Sequence, residues 1–452
     1  MRIWLAWLLL LPCASLLADA GSSAQNRTTM QWANFLHDLG FLADTYPNTQ
    51  AIEAASYEFV NARARLRFSP ETKATQALNQ AISTNSLAAW GVEQIPQYQE
   101  FSRLRQALKK EQALAALPLP NLEPLIGLKL GQQHPEVAVL RRWLASQAGQ
   151  SLPSHLKDRH VWDPALIHSL KAFQTQHELT PSGKLDQPTA RLISTPKAKR
   201  IEQIRFTLRQ WLQLPSQLPE HSIIVNIPQF QLDYYRNQRL HLSLPVIVGK
   251  SATPTPRMNS KFRSITINPN WTPPPSIING ELLPAHRKDP YQLQNRGFEL
   301  VPYQSGEPIL DWAIAREQPL NHWFSSHSLK QKPGKNNALG FLKLNLTQSN
   351  AIYLHDTPNQ YLFRETTRAL SHGCVRVKNI ESLAQVLLPP SEYKNLALSK
   401  DTNLTKMKMI NRTIFVYLTY FLARVDVNGD LSMNQDIYQL SEDNLTRDFN
   451  SQ

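Results

Sequence analysis

One thiol and two imidazoles lie close together in this chain of 452 residues. His355 precedes Cys374 by nineteen positions, and His372 lies two positions before that cysteine. An ordinary cysteine thiol has a pKa of roughly 8.5 and is mostly protonated at neutral pH. It becomes a nucleophile when an imidazole removes its proton or stabilises the thiolate. The pattern therefore predicts Cys374 as a nucleophile and His355 as its base.

Three neighbouring residues have the chemistry to assist this pair. Residues 351–356 (AIYLHD) predict a strand, on which alternate side chains share a face, so the phenol of Tyr353 would stand beside His355. Gly373 allows a tight turn whose backbone N–H groups would face the reacting carbonyl as an oxyanion hole. Arg376 supplies a fixed positive charge for a substrate carboxylate or for a structural ion pair.

The cysteine count leaves Cys374 without a disulfide partner. The only other cysteine, Cys13, lies in a segment that we expect to be removed. The plain alternative is a buried cysteine that packs as a small apolar residue. The histidines, glycine and arginine around Cys374 favour chemistry instead.

The N terminus has the pattern of an export signal. Arg2 precedes an uncharged apolar run over residues 3–17, and Ala18 and Ala20 form an A-x-A cleavage site. The run is shorter than the ~20 residues that a membrane-spanning helix needs, so we expect residues 1–20 to be a cleaved signal peptide. The alternative is an uncleaved anchor that tethers the protein to the membrane.

The composition limits the classes of molecule that this protein is expected to bind. The formal net charge is +13, so the surface attracts polyanions such as nucleic acid, anionic lipid or anionic wall polymers. We expect no nucleic-acid partner, because the chain is predicted to be exported and contains no recognised nucleic-acid-binding module. The thirteen histidines have no H-E-x-x-H spacing, so we expect no metal site and no cofactor.

Helical periodicity dominates the first half of the chain. It predicts a helical scaffold domain over residues 26–115 and three short helices over residues 125–195. A stiff Leu-Pro linker at 117–121 separates the two. A basic linker helix is predicted over residues 200–216.

Alternating apolar residues dominate the second half. They begin at residue 222, with a turn at Asn237-Gln238, and predict a mostly β domain over residues 220–440 that ends in a strand at 413–425. The pattern loosens over residues 273–335, where we expect an inserted cap or a long loop above the sheet. The predicted fold class is therefore α+β with several domains.

Residues 125–195 resemble the small three-helix peptidoglycan-binding repeat found beside many cell-wall enzymes. The alternative is a generic helical bundle. The positions that match the repeat are Gly131, Pro135, Val137, Leu140, Leu144, Asp163, Leu170, Phe173-Gln174, His177, Leu179, Gly183 and Thr189.

The segment S-H-G-C-V-R-V, with H-D upstream, resembles the signature of the YkuD-type L,D-transpeptidase catalytic domain. Further segments resemble the large multi-domain, YcbB-like branch, which carries a scaffold domain and a peptidoglycan-binding domain. The branch usually has serine at the position of His372, and the wider family commonly has histidine there. The further segments are 225–228, 246–249, 255–256, 268–271, 283–284, 332–340 and 354–358.

The resemblance implies a complete reaction. Cys374 would attack the carbonyl before the terminal D-alanine of a tetrapeptide stem, and an amine of a neighbouring stem would resolve the thioester as a 3→3 cross-link. His355 would act as base and then acid, and the Tyr353 hydroxyl and the Cys374 amide would stabilise the oxyanion. Asp356, through its carbonyl or its carboxylate, would orient His355.

The resemblance also implies where the substrate binds and where the protein works. The predicted substrate-binding residues are Ser371, His372, Asp356 and Arg376. The expected partners are peptidoglycan stems and carbapenem inhibitors, and the expected compartment is the periplasm of a Gram-negative-type envelope.

Two other functions fit the sequence. The first is a hydrolase of the same fold, an L,D-carboxypeptidase or an amidase, in which water resolves the thioester. The second is a non-catalytic wall-binding protein that uses residues 125–195, although the intact pair of His355 and Cys374 counts against it.

Overall fold

The computed structural model describes residues 22–441, so the predicted signal peptide and Cys13 lie outside the described residues. Within the described part, no helix is both long enough and apolar enough to cross a membrane. Helices occupy the N-terminal half and strands dominate the C-terminal half, which confirms the predicted α+β class. The gaps in the described range are 44–46, 68–71, 116–117, 177–178, 195–196, 305–308, 348–351 and 403.

The helical region packs around a cluster of aromatic side chains. Trp32, Phe35, Phe59 and Phe101 are fully buried, and the Trp32 ring stacks on Phe35 and meets Phe59 edge-on at 5.2 Å. Gly91 lies so close to Trp32 that any larger side chain there would collide with the indole. The helices are α1 (Ser22–Leu39), α2 (Thr49–Arg67), α3 (Thr72–Ser83), α4 (Leu87–Gln94) and α5 (Gln99–Ala115).

The next unit has an apolar cluster of its own. Several of the residues that match the peptidoglycan-binding repeat make hydrogen bonds and ion pairs within this unit. Asp163 accepts a hydrogen bond from the Leu166 N–H and pairs with Arg141, while the buried amide of Gln174 accepts from the Gly183 N–H. These positions stabilise a fold and do not identify a ligand, and His177 lies outside the described residues. The helices are α6 (Pro135–Gln147), α7 (Ser154–Lys157), α8 (Pro164–Gln176) and α9 (Gln187–Ser194).

Helix α10 (Lys197–Gln210) and a 3₁₀ turn (Trp211–Gln213) lead from the helices to the strands. Trp211 stacks on Phe421 with ring centroids 4.8 Å apart. The linker is therefore packed against the β region as well as connected to it.

The main sheet closes on itself. Its strands follow the order β10-β8-β7-β4-β12-β1-β2-β3-β9, and β10 pairs again with β3, while β11 pairs with β4. Closure leaves fewer unpaired edges and encloses an apolar interior. The strands of this sheet are β1 (His221–Asn226), β2 (Gln231–Arg236), β3 (Arg239–Gly249), β4 (Met258–Ile267), β7 (Leu342–Leu346), β8 (Leu354–His355), β9 (Ala369–Ser371), β10 (Val375–Val377), β11 (Lys406–Met409) and β12 (Phe415–Thr419).

Strand β1 is buried on both faces. Ile223 and Val225 point into the closed sheet, whereas Ile224, between them, belongs to the cluster of the helical region. All six residues of the strand are buried, as expected for a strand covered on two sides. The helical region and the sheet thus share β1.

The turn predicted at Asn237-Gln238 is confirmed. Both residues have positive φ angles, 50° and 64°, and they join β2 to β3. Positive φ at both central positions is the geometry of the two-residue hairpin turn that matches strand twist.

The single strand predicted over residues 413–425 is wrong. Strand β12 ends at Thr419, and β13 (Ala423–Val425) instead pairs with β14 (Leu431–Met433). Between β12 and β13 a side chain takes over the hydrogen bonds of the strand. The Asn226 amide accepts from the Phe421 N–H and donates to the Phe421 carbonyl. The apolar pattern continues through the break because both halves are buried, so periodicity could not reveal it.

The segment between β4 and β7 is a folded cap and not a long loop. Its two ends are joined by a pair of backbone hydrogen bonds between Trp271 and Gln331, of 2.9 and 2.7 Å. Its own apolar cluster includes Phe298, Leu300 and Trp312. Its elements are α11 (Pro275–Ile277), a π-helical turn (Ile278–Leu282), α12 (Leu283–Lys288), α13 (Gln292–Asn295), β5 (Phe298–Pro302), α14 (Trp312–Ala315) and β6 (His327–Gln331).

After β10, the last two α-helices of the described chain are α15 (Ile380–Leu387) and α16 (Pro390–Ala397). Ile380, Leu383 and Leu387 are buried in the apolar interior of the sheet region.

Candidate active site

Strand register brings the predicted catalytic residues onto one face of the sheet. In the parallel pair β8–β10, Val375 lies opposite Leu354 and Arg376 lies opposite His355. The Val375 N–H also donates to the Tyr353 carbonyl, at 3.0 Å, so the ladder continues past the end of β8. Because side chains alternate along a strand, Tyr353, His355, Cys374 and Arg376 share a face.

The opposite face of the same strands is apolar. Leu354 and Val375 are fully buried in the interior of the closed sheet. A slip of one residue in either strand would bury the catalytic side chains and expose these two. The core therefore fixes the register on which the site depends.

The turn before Cys374 is held by its own side chains. The Ser371 hydroxyl donates to the Cys374 carbonyl at 2.6 Å and accepts from the Gly373 N–H at 3.1 Å. Thr255 donates to the Gly373 carbonyl at 2.7 Å. Gly373 has a φ of +113°, which residues with a side chain rarely adopt.

These bonds revise two predictions. The Ser371 hydroxyl both donates and accepts within the turn, and the residue is buried, so it stabilises the turn rather than facing a substrate. The Gly373 N–H is likewise occupied by the Ser371 hydroxyl, so it is not available to an oxyanion.

His355 is buried and held in one orientation. Its Nδ1 lies 2.5 Å from the carbonyl oxygen of Asp356, and because a carbonyl can only accept, the proton of the neutral ring is assigned to Nδ1. Burial, aided by the positive charges of Arg376 and Lys343, lowers the pKa of His355 to about 3. The imidazole is therefore neutral at physiological pH.

Cys374 is mostly buried as well. Burial raises the pKa of the Cys374 thiol, while a hydrogen bond from the Tyr353 backbone and the charges of Lys343 and Arg376 oppose the rise. A raised thiol pKa and a lowered imidazole pKa both disfavour a resting ion pair. These two protonation states allow a transfer of the thiol proton to a neutral imidazole.

Lys343 is a member of the site that the sequence did not reveal. It lies opposite His355 in the antiparallel pair β7–β8, and its Nζ stands 3.7 Å from the centroid of the Tyr353 ring. Burial lowers the pKa of Lys343, and the Cys374 thiolate would raise it. In sequence, Lys343 is one polar position of an alternating strand, which a solvent-facing lysine would satisfy equally well.

Tyr353 and Arg376 complete this inner group. Burial, with a contribution from the Cys374 charge, raises the pKa of the Tyr353 phenol, so its proton is available for donation. Arg376 is paired electrostatically with the thiolate and with Glu281, and burial lowers its pKa. Its Nε is buried and has no hydrogen-bond partner among the described atoms.

The Asp356 side chain serves a different purpose from the one predicted. One carboxylate oxygen accepts from the Phe341 N–H at 2.9 Å and the other accepts from Gln360 at 3.0 Å. Gly340 packs against this carboxylate so tightly that a Cβ there would lie 2.4 Å from it. Asp356 therefore orients His355 through its carbonyl, and its carboxylate holds the loop before β7 instead of a substrate.

His372 lies on the exposed rim, where the cap meets the catalytic turn. Its Nε2 is 2.6 Å from the Glu281 carboxylate, in the π-helical turn of the cap, and 3.5 Å from the Lys250 Nζ. Glu281 and Lys250 were not predicted, because only the folded cap and the β3–β4 turn bring them to the site. The described residues contain no group of three or more side chains suited to a metal ion.

Known proteins were compared with this chain. The family model of the L,D-transpeptidase catalytic domain, YkuD, matches residues 220–396, which include the whole inner group. Residues 220–396 are a YkuD-type L,D-transpeptidase catalytic domain. A Haemophilus influenzae protein named as a candidate L,D-transpeptidase is 31% identical over 317 residues, which is 68% of this chain and 58% of the relative. The chain thus spans somewhat more than half of that relative.

Solved L,D-transpeptidases are more distant. One from Mycobacterium smegmatis is 14% identical, with a TM-score of 0.19 over 44% of this chain and 58% of its own. Another, solved in complex with imipenem, has the same identity, TM-score and coverage. The catalytic domain is therefore assigned on the family model and on its own geometry.

Proposed function

We propose that this protein is a peptidoglycan L,D-transpeptidase that forms 3→3 cross-links between stem peptides through a thioester on Cys374. The observation that carries the proposal is the register of β8 and β10, which supports a nucleophile, a neutral base and a phenol on one face. The family model supports peptidoglycan as the substrate.

The first half of the reaction is acylation. His355 Nε2 accepts the Cys374 proton as the sulfur attacks the carbonyl before the terminal D-alanine. The Tyr353 hydroxyl and the Cys374 N–H donate to the oxyanion, and the charges of Lys343 and Arg376 stabilise it. As the C–N bond breaks, the imidazolium returns its proton to the leaving D-alanine amine.

The second half returns the enzyme to its starting state. An amine of a neighbouring stem attacks the thioester, the C–S bond breaks and the sulfur leaves as a thiol after it receives a proton. If water attacks instead, the product is a tripeptide, as in a carboxypeptidase of the same fold. The two outcomes differ only in the second nucleophile.

Purified disaccharide-tetrapeptide muropeptides test the proposal. Incubation with the protein should give 3→3 cross-linked dimers and free D-alanine, both measurable by mass spectrometry. Tripeptides alone would indicate the hydrolase, and the absence of both products would favour a non-catalytic wall-binding protein.

Carbapenems provide a second test. A β-lactam carbonyl presents the same electrophile to Cys374, so we expect a covalent adduct on this residue. The adduct should be found by intact-mass spectrometry and located by peptide mapping.

We also propose that residues 125–195 hold the enzyme on the wall. Such tethering raises the local concentration of stems without taking part in the chemistry. Deleting the unit should weaken co-sedimentation with insoluble sacculi, yet leave carbapenem acylation unchanged. If a correctly folded deletion variant binds sacculi as tightly as the full chain, the positive surface or the catalytic cleft supplies the affinity.

The proposed compartment is the periplasm, on the basis of the export signal predicted at residues 1–20. Cell fractionation should recover the protein in the periplasm, and N-terminal sequencing should begin at Gly21. A mature protein that starts at Met1 in the membrane fraction would indicate an uncleaved anchor.

A further inference from the structure

The contact between the cap and the catalytic turn brings a carboxylate to a site that is otherwise cationic. Lys343 and Arg376 lie on the sheet face and Lys250 lies on the rim. Among the described residues that contact this turn, Glu281 supplies the carboxylate that faces outward, because the carboxylate of Asp356 is bound to Phe341 and Gln360.

The position of Glu281 is specified by the local backbone. It lies in the π-helical turn Ile278–Leu282, a rare conformation that is frequently found at functional sites. Its side chain is 51% exposed and that of His372 is 27% exposed, although they are in contact at 2.6 Å. The contact is an ion pair only when His372 is protonated, and even then a surface pair stabilises a fold by at most about 1 kcal/mol, so stability alone is a weak reason for it.

The two halves of the proposed reaction make opposite electrostatic demands. The donor stem ends in a carboxylate, which the lysines and arginine attract. The acceptor arrives as an ammonium ion, which those cations repel and which must lose a proton before its nitrogen can attack. A carboxylate beside an imidazole meets both needs of the acceptor.

We propose that Glu281, together with His372, binds the ammonium group of the acceptor stem and receives its proton. This inference rests on the proposed function. One ammonium proton passes to the Glu281–His372 pair, and the nitrogen lone pair forms the new C–N bond. As the C–S bond breaks, its electron pair stays on Cys374 Sγ, which takes the second proton from the nitrogen by way of His355.

The test separates the two halves of the reaction in the full-length protein. Glu281→Gln keeps the size of the side chain but removes the charge. Its acylation by a carbapenem should change far less than its cross-linking, because no acceptor takes part and Glu281 reaches the inner group only through the charge of Arg376. With muropeptides, its ratio of cross-linked dimer to tripeptide should fall by roughly a hundredfold, the lower end of the effects of general acid–base catalysis.

Three controls sharpen the result. Glu281→Asp should recover part of the ratio, because it restores the carboxylate. Glu299→Gln removes a cap carboxylate that pairs with Lys332 instead of the catalytic turn, and it should leave the ratio unchanged. Hydroxylamine is uncharged at neutral pH, so it should release the acyl group from Glu281→Gln as fast as from the unsubstituted protein.

Other outcomes overturn the inference in recognisable ways. If Glu281→Gln changes the rate of acylation but not the product ratio, the pair is only a latch between cap and turn. If all variants keep the same product ratio, Glu281 has no role in the choice of acceptor. If the unsubstituted protein forms no acyl-enzyme at all, the proposed function itself fails.

Discussion

The active site has an inner side and a rim, and each contains an imidazole in a different setting. His355 is 4% exposed, hydrogen-bonded to a carbonyl and flanked by cations, so its protonation state is fixed by the fold. His372 is partly exposed and contacts a carboxylate of the cap. A base that activates an internal thiol benefits from isolation from water, whereas a group that meets an incoming stem must stay accessible. Proximity to Cys374 in sequence therefore does not identify the base.

The largest effect should come from the inner side. Cys374→Ala removes the nucleophile and should abolish turnover and adduct formation. Intact-mass spectrometry and circular dichroism check the adduct and the fold in the same sample. Persistent turnover in a folded variant would contradict the assignment of Cys374.

The second largest loss of activity should come from His355→Ala. Loss of the general base should slow acylation by a factor on the order of 10² to 10⁴. Carbapenem acylation followed by stopped-flow fluorescence measures this rate. If His355→Ala keeps its rate of acylation and a His372 variant does not, the roles of the two imidazoles are reversed.

Lys343→Met should have an intermediate effect that depends on pH. The Lys343 charge lowers the pKa of both Cys374 and His355, so its removal raises both pKa values. The thiol then gives up its proton less readily, and the imidazole stays neutral only down to a less acidic pH. The pH profile of acylation should therefore move towards alkaline pH. If the thiol pKa rises by about 1, the rate of acylation at neutral pH should fall about tenfold.

Lys343→Arg, which keeps a positive charge, is the matched control for the lysine. It should preserve most of the profile. A profile that stays in place in Lys343→Met would mean that the lysine only packs against Tyr353.

The smallest effect on acylation should come from the rim. His372→Ser leaves the inner group intact, and the multi-domain branch that this chain resembles usually has serine there. Carbapenem acylation should keep most of its rate, measured beside His355→Ala under the same conditions. A rate as low as that of His355→Ala would remove the distinction between inner side and rim.

The contrast also marks what sequence could predict. Tyr353 and His355 alternate along one strand, so the sequence was enough to place these two on one face. Cys374 was paired with them by its chemistry, and the register of β8 and β10 brings it to that face. Lys343 enters through the neighbour β7, and only the strand order reveals that it lies opposite His355. Glu281 comes from a separately folded cap whose contact with residue 372 no local pattern encodes.

The roles of polar side chains near the nucleophile were the hardest to predict from sequence. Ser371 and Asp356 were expected to meet substrate, and the structure uses them to hold the turn and the preceding loop. The type of a residue shows which hydrogen bonds its side chain is able to make. The partner is decided by backbone groups that the fold places nearby, and sequence alone does not locate those groups.

The sharing of β1 between two apolar clusters has a consequence for how this protein can be divided. Ile224, Tyr417 and Phe421 face the helical region, although they belong to the catalytic half of the chain. Cutting away residues 22–115 would expose this apolar surface on an otherwise closed sheet. Exposed apolar patches of this kind promote association between molecules. The catalytic half produced alone should therefore aggregate or require detergent, so the helical region acts as an intramolecular solubilising partner.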